Sequence, residues 1–218
     1  MNIENARFNM IEQQIRPWDV LDLDVLGLLS IVKRENYVLP EHRDLAFADL
    51  ELPLPGGTSK MLFPRVEARV LQELSVKKHE NVLVIGAGSG YLAALFAHRA
   101  QHVTAVDIDP TIAKFAADNL RNDGVTNAEV VLGDGSLGWP DKAPYDVICV
   151  AGGLPVVPQQ MLEQLKIGGR LSAFVGGRPV MKAQIITRID DKQYRVADVF
   201  ETYVNHLVNA MEPSRFKF

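Results

Sequence analysis

The sequence predicts an α/β fold: a seven-stranded, mostly parallel sheet with helices on both faces and a helical extension at the N-terminus. Three observations predict it. The first is residues 82–85, an unbroken apolar and mostly β-branched run, followed at once by Gly86, Gly88 and Gly90 and then by the helix-like YLAALFAHRA. Such a run suits a strand buried on both faces of a parallel sheet. The second is residues 103–106, another short apolar run that ends in Asp107. The third is residues 129–132, closed by an Asp134-Gly135 turn. Open α/β sheets bind ligands beyond the carboxyl ends of their strands, where all three sets of glycines and acids fall.

The elements follow in order. Residues 5–16 predict a first helix, with Ala6, Met10, Ile11 and Ile15 on a partial apolar face and Pro17 as its stop. A second helix spans about 23–33. Residues 36–57 are punctuated by proline and glycine and predict little regular structure. KMLFPRVEARVLQEL, from Lys60, reads as a helix that Thr58-Ser59 would cap. The glycines of 86–90 allow positive φ and a close backbone approach, and the helix after them starts with free N–H groups aimed at a ligand. Asp109-Pro110 suits the cap of a helix from about Thr111. That leaves Asp107, close to the ~20 residues after Gly86 expected for a ribose-binding acid, to accept from both ribose hydroxyls. Residues 147–150 predict a fourth strand and 151–158 a loop where a substrate lid would sit. A helix over 159–170 would close on Gly168-Gly169. A fifth strand follows at 171–177. Residues 182–189 and 194–204 alternate as two antiparallel strands joined near Asp190-Asp191, and 209–218 form a polar tail.

Composition sets the bounds. The 218 residues are 47% hydrophobic and 23% charged, which fits one soluble domain with a full core. Net charge is −4 with Lys and Arg scattered among acids, so no nucleic-acid groove is expected. The N-terminus lacks a signal peptide's basic start and apolar core, and no apolar stretch approaches the ~20 residues of a membrane span. A single cysteine, Cys149, lies in an apolar strand-like run; it excludes an internal disulfide framework and suits a reducing, cytoplasmic location. His42, His79, His98, His102 and His206 are not paired at metal-ligand spacing, so no metal is expected.

The glycine spacing is G-x-G-x-G, where dinucleotide folds carry G-x-G-x-x-G. In that spacing the chain resembles the class I methyltransferases, a Rossmann-like fold in which the loop wraps the carboxypropyl-sulfonium chain of S-adenosyl-L-methionine. The resemblance implies that Gly86, Ala87, Gly88, Ser89, Gly90, Asp107, Ile108, Asp134 and Gly135 bind this cofactor, with Asp134 reading the adenine amino group. Asp-Gly is also a common turn dipeptide. Four further blocks, MIEQQIR at 10–16, RENYVLPE at 34–41, AFADLELPLP at 46–55 and GDGSLGWP at 133–140, resemble the protein-L-isoaspartate O-methyltransferases over most of residues 8–176. This implies methylation of the α-carboxyl of isoaspartyl residues in damaged proteins. It also implies an organisation of N-terminal substrate-side extension (1–64), cofactor core (65–176), C-terminal strands (177–208) and tail (209–218).

The chain departs from that family at 56–64. Members carry a glycine-rich Thr-Ile-Ser-Gln-Pro stretch there, with the serine at the transfer site; this chain reads GGTSKMLFP. Counting back from Pro64 puts Leu62 at the serine's place, while a shifted register would give the role to Ser59 beside Thr58. A carboxylate acceptor is already ionised near neutral pH, so no general base is required and the absence of a catalytic triad is no objection. The altered loop leaves two alternatives: another acceptor on the same scaffold, or a cofactor-binding module with little catalysis. A nicotinamide oxidoreductase is disfavoured by the glycine spacing.

Overall fold

A computed structural model describes residues 2–213. Its centre is a seven-stranded sheet in the order β3-β2-β1-β4-β5-β6-β7. The strands are β1 (Asn81–Ile85), β2 (His102–Asp107), β3 (Ala128–Leu132), β4 (Tyr145–Leu154), β5 (Leu165–Gly177), β6 (Val180–Arg188) and β7 (Tyr194–Thr202). β1 to β5 pair in parallel, and β6 and β7 add on antiparallel. Strand order reverses between β1 and β4, which opens a crevice at their carboxyl ends.

Alternation along the strands divides the core. Val82 and Val84 of β1, with Val147 and Cys149 of β4, face the helices α3 (Pro64–Leu74), α4 (Tyr91–Ala97) and α5 (Pro110–Asn122). Leu83, Ile85, Ile148 and Val150 face the opposite way, against the five-residue α6 (Gln159–Glu163), Trp139 and Leu207. Helices therefore lie on both faces, but nearly all their length is on one. The N-terminal α1 (Ile3–Asn9) and α2 (Leu23–Ile31) add to the helical face, where Ile11, Ile15, Val25 and Leu29 are buried. Among the described residues no helix is long and apolar enough to cross a membrane.

Several elements differ from their sequence-based expectation. The helix expected over 5–16 stays α-helical only to Asn9; Met10–Ile15 widens into π turns and Arg16–Trp18 tightens into a 3-10 turn. Met10 and Ile15 are five residues apart, the spacing of one π turn, so the widening buries both on one side. Thr58-Ser59 cap no helix. α3 begins at Pro64, whose fixed φ and missing N–H suit the first helical position, and residues 60–63 are not helical. Residues 52–61 instead form a hairpin: Leu54 N donates to Ser59 O at 2.9 Å, Met61 N to Leu52 O at 2.8 Å, and Gly56 and Gly57 make the turn at φ 83° and 72°.

The expected loop after residue 150 is a continuation of β4 through Leu154, with a register shift between Cys149 and Gly153. The helix expected to Arg170 ends at Glu163 and β5 starts at Leu165. Gly168-Gly169 do not close a helix. A Cβ on Gly169 would come within 3.0 Å of Asp146 O and 3.1 Å of Tyr145 O, so the glycine lets β5 pass close against β4. The β6–β7 connection falls where the sequence put it, with Asp190 Oδ1 accepting from Lys192 N and Gln193 N at 2.8 Å each. Of the expected tail, residues 214–218 lie outside the described residues. The strand expected over 194–204 ends at Thr202, and residues 203–210 return the chain over the carboxyl end of β4: Gly153 N donates to Asn205 O at 2.8 Å and Leu207 N to Gly153 O at 2.9 Å.

Candidate functional site

A cleft of about 390 Å³ lies at the carboxyl edge of β1, β2 and β4. Its walls come from the 51–62 segment, Glu67 of α3, the glycine loop, the ends of β2 and β3, Ala151 and Gly152 of β4, and residues 204–208.

The glycine loop is pinned from below. Gly86 N and Ala87 N both donate to Val106 O, at 2.9 and 3.1 Å. Gly88 N donates to Asp107 Oδ2 at 3.1 Å. Ser89 Oγ accepts from Tyr91 N at 3.3 Å, and Ser89 O accepts from Asn119 Nδ2 at 2.9 Å. Gly86, Ala87, Gly88 and Ser89 all line the cleft. A Cβ on Gly88 (φ 55°) would project into it with only Leu54 Cδ1 nearby, at 3.8 Å. Gly90 lies outside the cleft lining. At φ 84° its Cβ would sit 2.9 Å from Ala116 O, so this glycine serves the packing of α4 on α5.

Asp107 is buried with both oxygens on backbone, Oδ2 on Gly88 N and Oδ1 on Asp109 N at 3.1 Å. Burial pushes its carboxyl above the ordinary aspartate range, while the N–H groups of Gly88, Asp109 and Ala87 hold it down. Each oxygen keeps a lone pair for a hydroxyl donor. Asp107 is thus both a loop support and a cleft carboxylate. Asp109 caps α5, accepting from Thr111 N at 2.8 Å and Ile112 N at 3.3 Å. Asp107→Ala should lower affinity for S-adenosylhomocysteine by about 2 kcal/mol, the loss of a bidentate charge-assisted contact. Asp109→Ala should instead cost about 1 kcal/mol of stability as a lost cap. Calorimetry and urea unfolding on both variants separate the two; interchanged outcomes would exchange the roles.

Ile108 and Gly135 line the cleft beside Asp134. Asp134 Oδ1 accepts from Ser136 N at 2.9 Å and Oδ2 from Asn209 Nδ2 at 2.8 Å, and these contacts, the Ser136 N–H first, hold its carboxyl below the usual range. Thr58, Ser59 and Leu62 all reach the cleft, so the hairpin brings both registers of the missing serine to the same wall. Leu62 is buried and its carbonyl accepts from Arg34 Nη2 at 3.0 Å.

Sequence reasoning missed four contributors. Arg34 ties the hairpin to α3. Asn119 holds the glycine loop from α5. Residues 204–208 form a wall, and Leu207 packs over Gly86 and Gly152. Glu67 carried a signal: it stands four and seven residues before Leu71 and Leu74, an acid on the apolar stripe of its helix.

The donor set fits an adenosine bearing an amino-acid chain: open glycine backbone, a carboxylate at the second strand, and an acid-glycine turn at the third. Comparison with known proteins agrees. The family model described as protein-L-isoaspartate(D-aspartate) O-methyltransferase matches residues 5–210. The chain is 38% identical over 193 residues to a protein-L-isoaspartate O-methyltransferase of Methanoculleus marisnigri, covering 88% of this chain and 86% of that one. It is 38% identical over 198 residues to protein-L-isoaspartate O-methyltransferase 2 of Marinobacter nauticus, covering 90% of each. A solved protein-L-isoaspartate O-methyltransferase superposes with a TM-score of 0.80 at 25% identity, over 93% of this chain and 66% of that one. A Plasmodium falciparum chain solved with S-adenosyl-L-homocysteine shares the fold, with a TM-score of 0.79 at 16% identity over 95% of this chain and 99% of that one. By sequence match along nearly its whole length, the chain belongs to the protein-L-isoaspartate(D-aspartate) O-methyltransferase family.

Proposed function

We propose that the protein is an S-adenosyl-L-methionine-dependent O-methyltransferase acting on the carboxyl of isoaspartyl residues in proteins or peptides, with its rate limited by the 56–64 hairpin. The observation that carries this reading is one cleft in which the glycine loop and Asp107 face Thr58, Ser59 and Leu62. When bound, S-adenosyl-L-methionine supplies an activated methyl group on a sulfonium. The protein positions and excludes water. Asp107 orients the ribose, Ile108 and the Asp134-Gly135 turn border the adenine, and residues 86–89 give the amino-acid chain a backbone floor. Residues 1–64 form the acceptor side and 65–176 the cofactor core. The acceptor carboxylate arrives ionised, so no proton has to be removed. It has to be held, and Lys60 at the cleft wall and the Ser59 hydroxyl are the groups placed to hold it.

Leu62 offers no hydroxyl. One missing hydrogen bond to a charged group is worth roughly 1.5–3 kcal/mol, or about tenfold to a hundredfold in rate. Wild-type protein should therefore methylate a standard isoaspartyl peptide weakly, and Leu62→Ser should raise turnover by about that factor. Ser59→Ala should lower it if Ser59 holds the carboxylate. A methyl-transfer assay on the three proteins decides. Strong wild-type turnover unmoved by either substitution would show that the hairpin does not limit the enzyme. Binding of S-adenosyl-L-methionine without transfer to any isoaspartyl peptide, Leu62→Ser included, would favour a different acceptor.

A further inference from the structure

Four carboxylates line the cleft among the described residues: Glu51, Glu67, Asp107 and Asp134. Asp107 and Asp134 belong to the ribose and adenine ends. Glu51 is half-buried with Lys60 in electrostatic reach. Glu67 has no role so far. Its side chain is only 5% exposed, yet it reaches the cleft. Oε2 accepts from Arg34 Nε at a long 3.3 Å, and its carboxylate accepts no other hydrogen bond among the described residues. Arg34 is shared: Nη1 donates to Ala46 O and Nη2 to Leu62 O, each at 3.0 Å. A carboxylate this dry, with one long contact to a shared guanidinium, has room for a second cation.

Among the described residues Arg34 is the one cation whose charge reaches it. Tyr91 of α4 and Cys149 of β4 are in electrostatic reach and buried; burial pushes Cys149 up to about 12 and Tyr91 higher still, so both stay neutral. The Tyr91 hydroxyl has no partner among the described residues. Arg7 and Glu35, behind Tyr91, are paired with each other. Burial outweighs Arg34 and pushes the Glu67 carboxyl up to about 7.

We propose that Glu67 is the anionic partner of the ammonium group on the amino-acid chain of S-adenosyl-L-methionine. The inference rests on the donor assignment above. With adenosine placed over Asp107 and Ile108, the rest of the donor runs across residues 86–89 toward the wall that Leu62 and Glu67 share. That chain ends in one cation and one anion. A buried carboxylate attracts the first and repels the second, which turns the donor's own carboxylate toward backbone N–H groups and fixes the chain in one orientation.

The test pairs two ligands and two proteins by calorimetry: S-adenosylhomocysteine, and 5′-methylthioadenosine, which lacks the amino-acid part. Glu67→Gln should weaken S-adenosylhomocysteine about tenfold to a hundredfold and leave 5′-methylthioadenosine within about twofold. Retained 5′-methylthioadenosine binding also reports an intact cleft. Equal losses on both ligands, or none on either, would overturn the proposal. A second readout needs no variant: wild-type affinity for S-adenosylhomocysteine should fall as pH drops from 8 to 6, as the carboxyl takes a proton. Affinity for 5′-methylthioadenosine should stay flat by comparison, and it reports any share from His206, which lines the same cleft. Parallel pH profiles for the two ligands would overturn the proposal. Wild-type protein that binds neither ligand would overturn the donor assignment and this inference together.

Discussion

Gly90→Val is expected to cost on the order of 3–5 kcal/mol of stability, while Gly88→Val should leave the fold standing and abolish cofactor binding. The two glycines sit two residues apart in one loop, and both have positive φ. They differ in what a side chain would meet. At Gly90 the new Cβ would press on Ala116 O at 2.9 Å and on Ala116 Cα and Leu120 Cγ at 3.3 Å, all buried and none free to leave. Backbone strain for a β-branched residue and overpacking each cost roughly 1–3 kcal/mol, and they act together here. At Gly88 the Cβ would enter the cleft, so its strain of about 1–2 kcal/mol is borne by the fold and its bulk falls on the ligand. Thermal unfolding and calorimetry with S-adenosylhomocysteine read the two effects separately. A Gly90→Val protein as stable as wild type would contradict the packing role, and wild-type affinity in Gly88→Val would contradict the binding role.

Arg34→Ala should destabilise the protein by about 3–5 kcal/mol, the usual cost of removing one member of a buried ion pair. The loss has three parts: Glu67 keeps a buried charge without its partner, and the carbonyls of Ala46 and Leu62 lose their donors. The dependence on pH is specific. The folded carboxyl of Glu67 titrates near 7, above its ordinary 4.5, so between those values the folded state binds more protons than the unfolded chain. Stability then falls as pH rises through that window. Without Arg34 the folded value moves higher still, and the destabilisation should be larger at pH 8 than at pH 5. Urea unfolding at both pH values checks this. A second variant, Arg34→Leu with Glu67→Leu, should recover much of the loss, since an apolar pair of similar size removes the charge problem. A loss that is equal at both pH values would mean that the carbonyl contacts, and not the charge, dominate.

What the sequence made legible follows local physics. Residues 82–85 and 103–106 are runs that the sheet buries, 129–132 is its half-buried edge strand, and each is followed closely by a glycine or an acid that the fold places at the cleft. Asp109 was readable as a cap because Asp-Pro leaves one local solution. Illegible were the parts set by tertiary contact. Gly168-Gly169 looked like a helix stop because glycine pairs commonly are; their use against the Tyr145 and Asp146 carbonyls depends on a strand that is distant in sequence. Thr58-Ser59 looked like a cap because hydroxyls before an apolar run commonly are, yet Pro64 fixes the helix start six residues after Thr58. Gly90 was read with its neighbours as a binding glycine, although the helix it packs on lies some twenty residues further on. Glu67 was passed over inside a helix, where its value depends on Arg34 arriving from the N-terminal extension.

The return of residues 203–210 over the cleft has a consequence for the order in which the site can come into being. The glycine loop and Asp107 leave the ribosome long before Leu207 and Asn209, whose contacts with Gly153 and Asp134 close the last wall. A nascent chain holding every sheet strand still has a cleft open on that side. Ligand stabilisation works by mass action on a completed site. The donor should therefore stabilise a chain shortened before Leu207 less than the full chain, because the wall that residues 204–208 add to the cleft is missing from it.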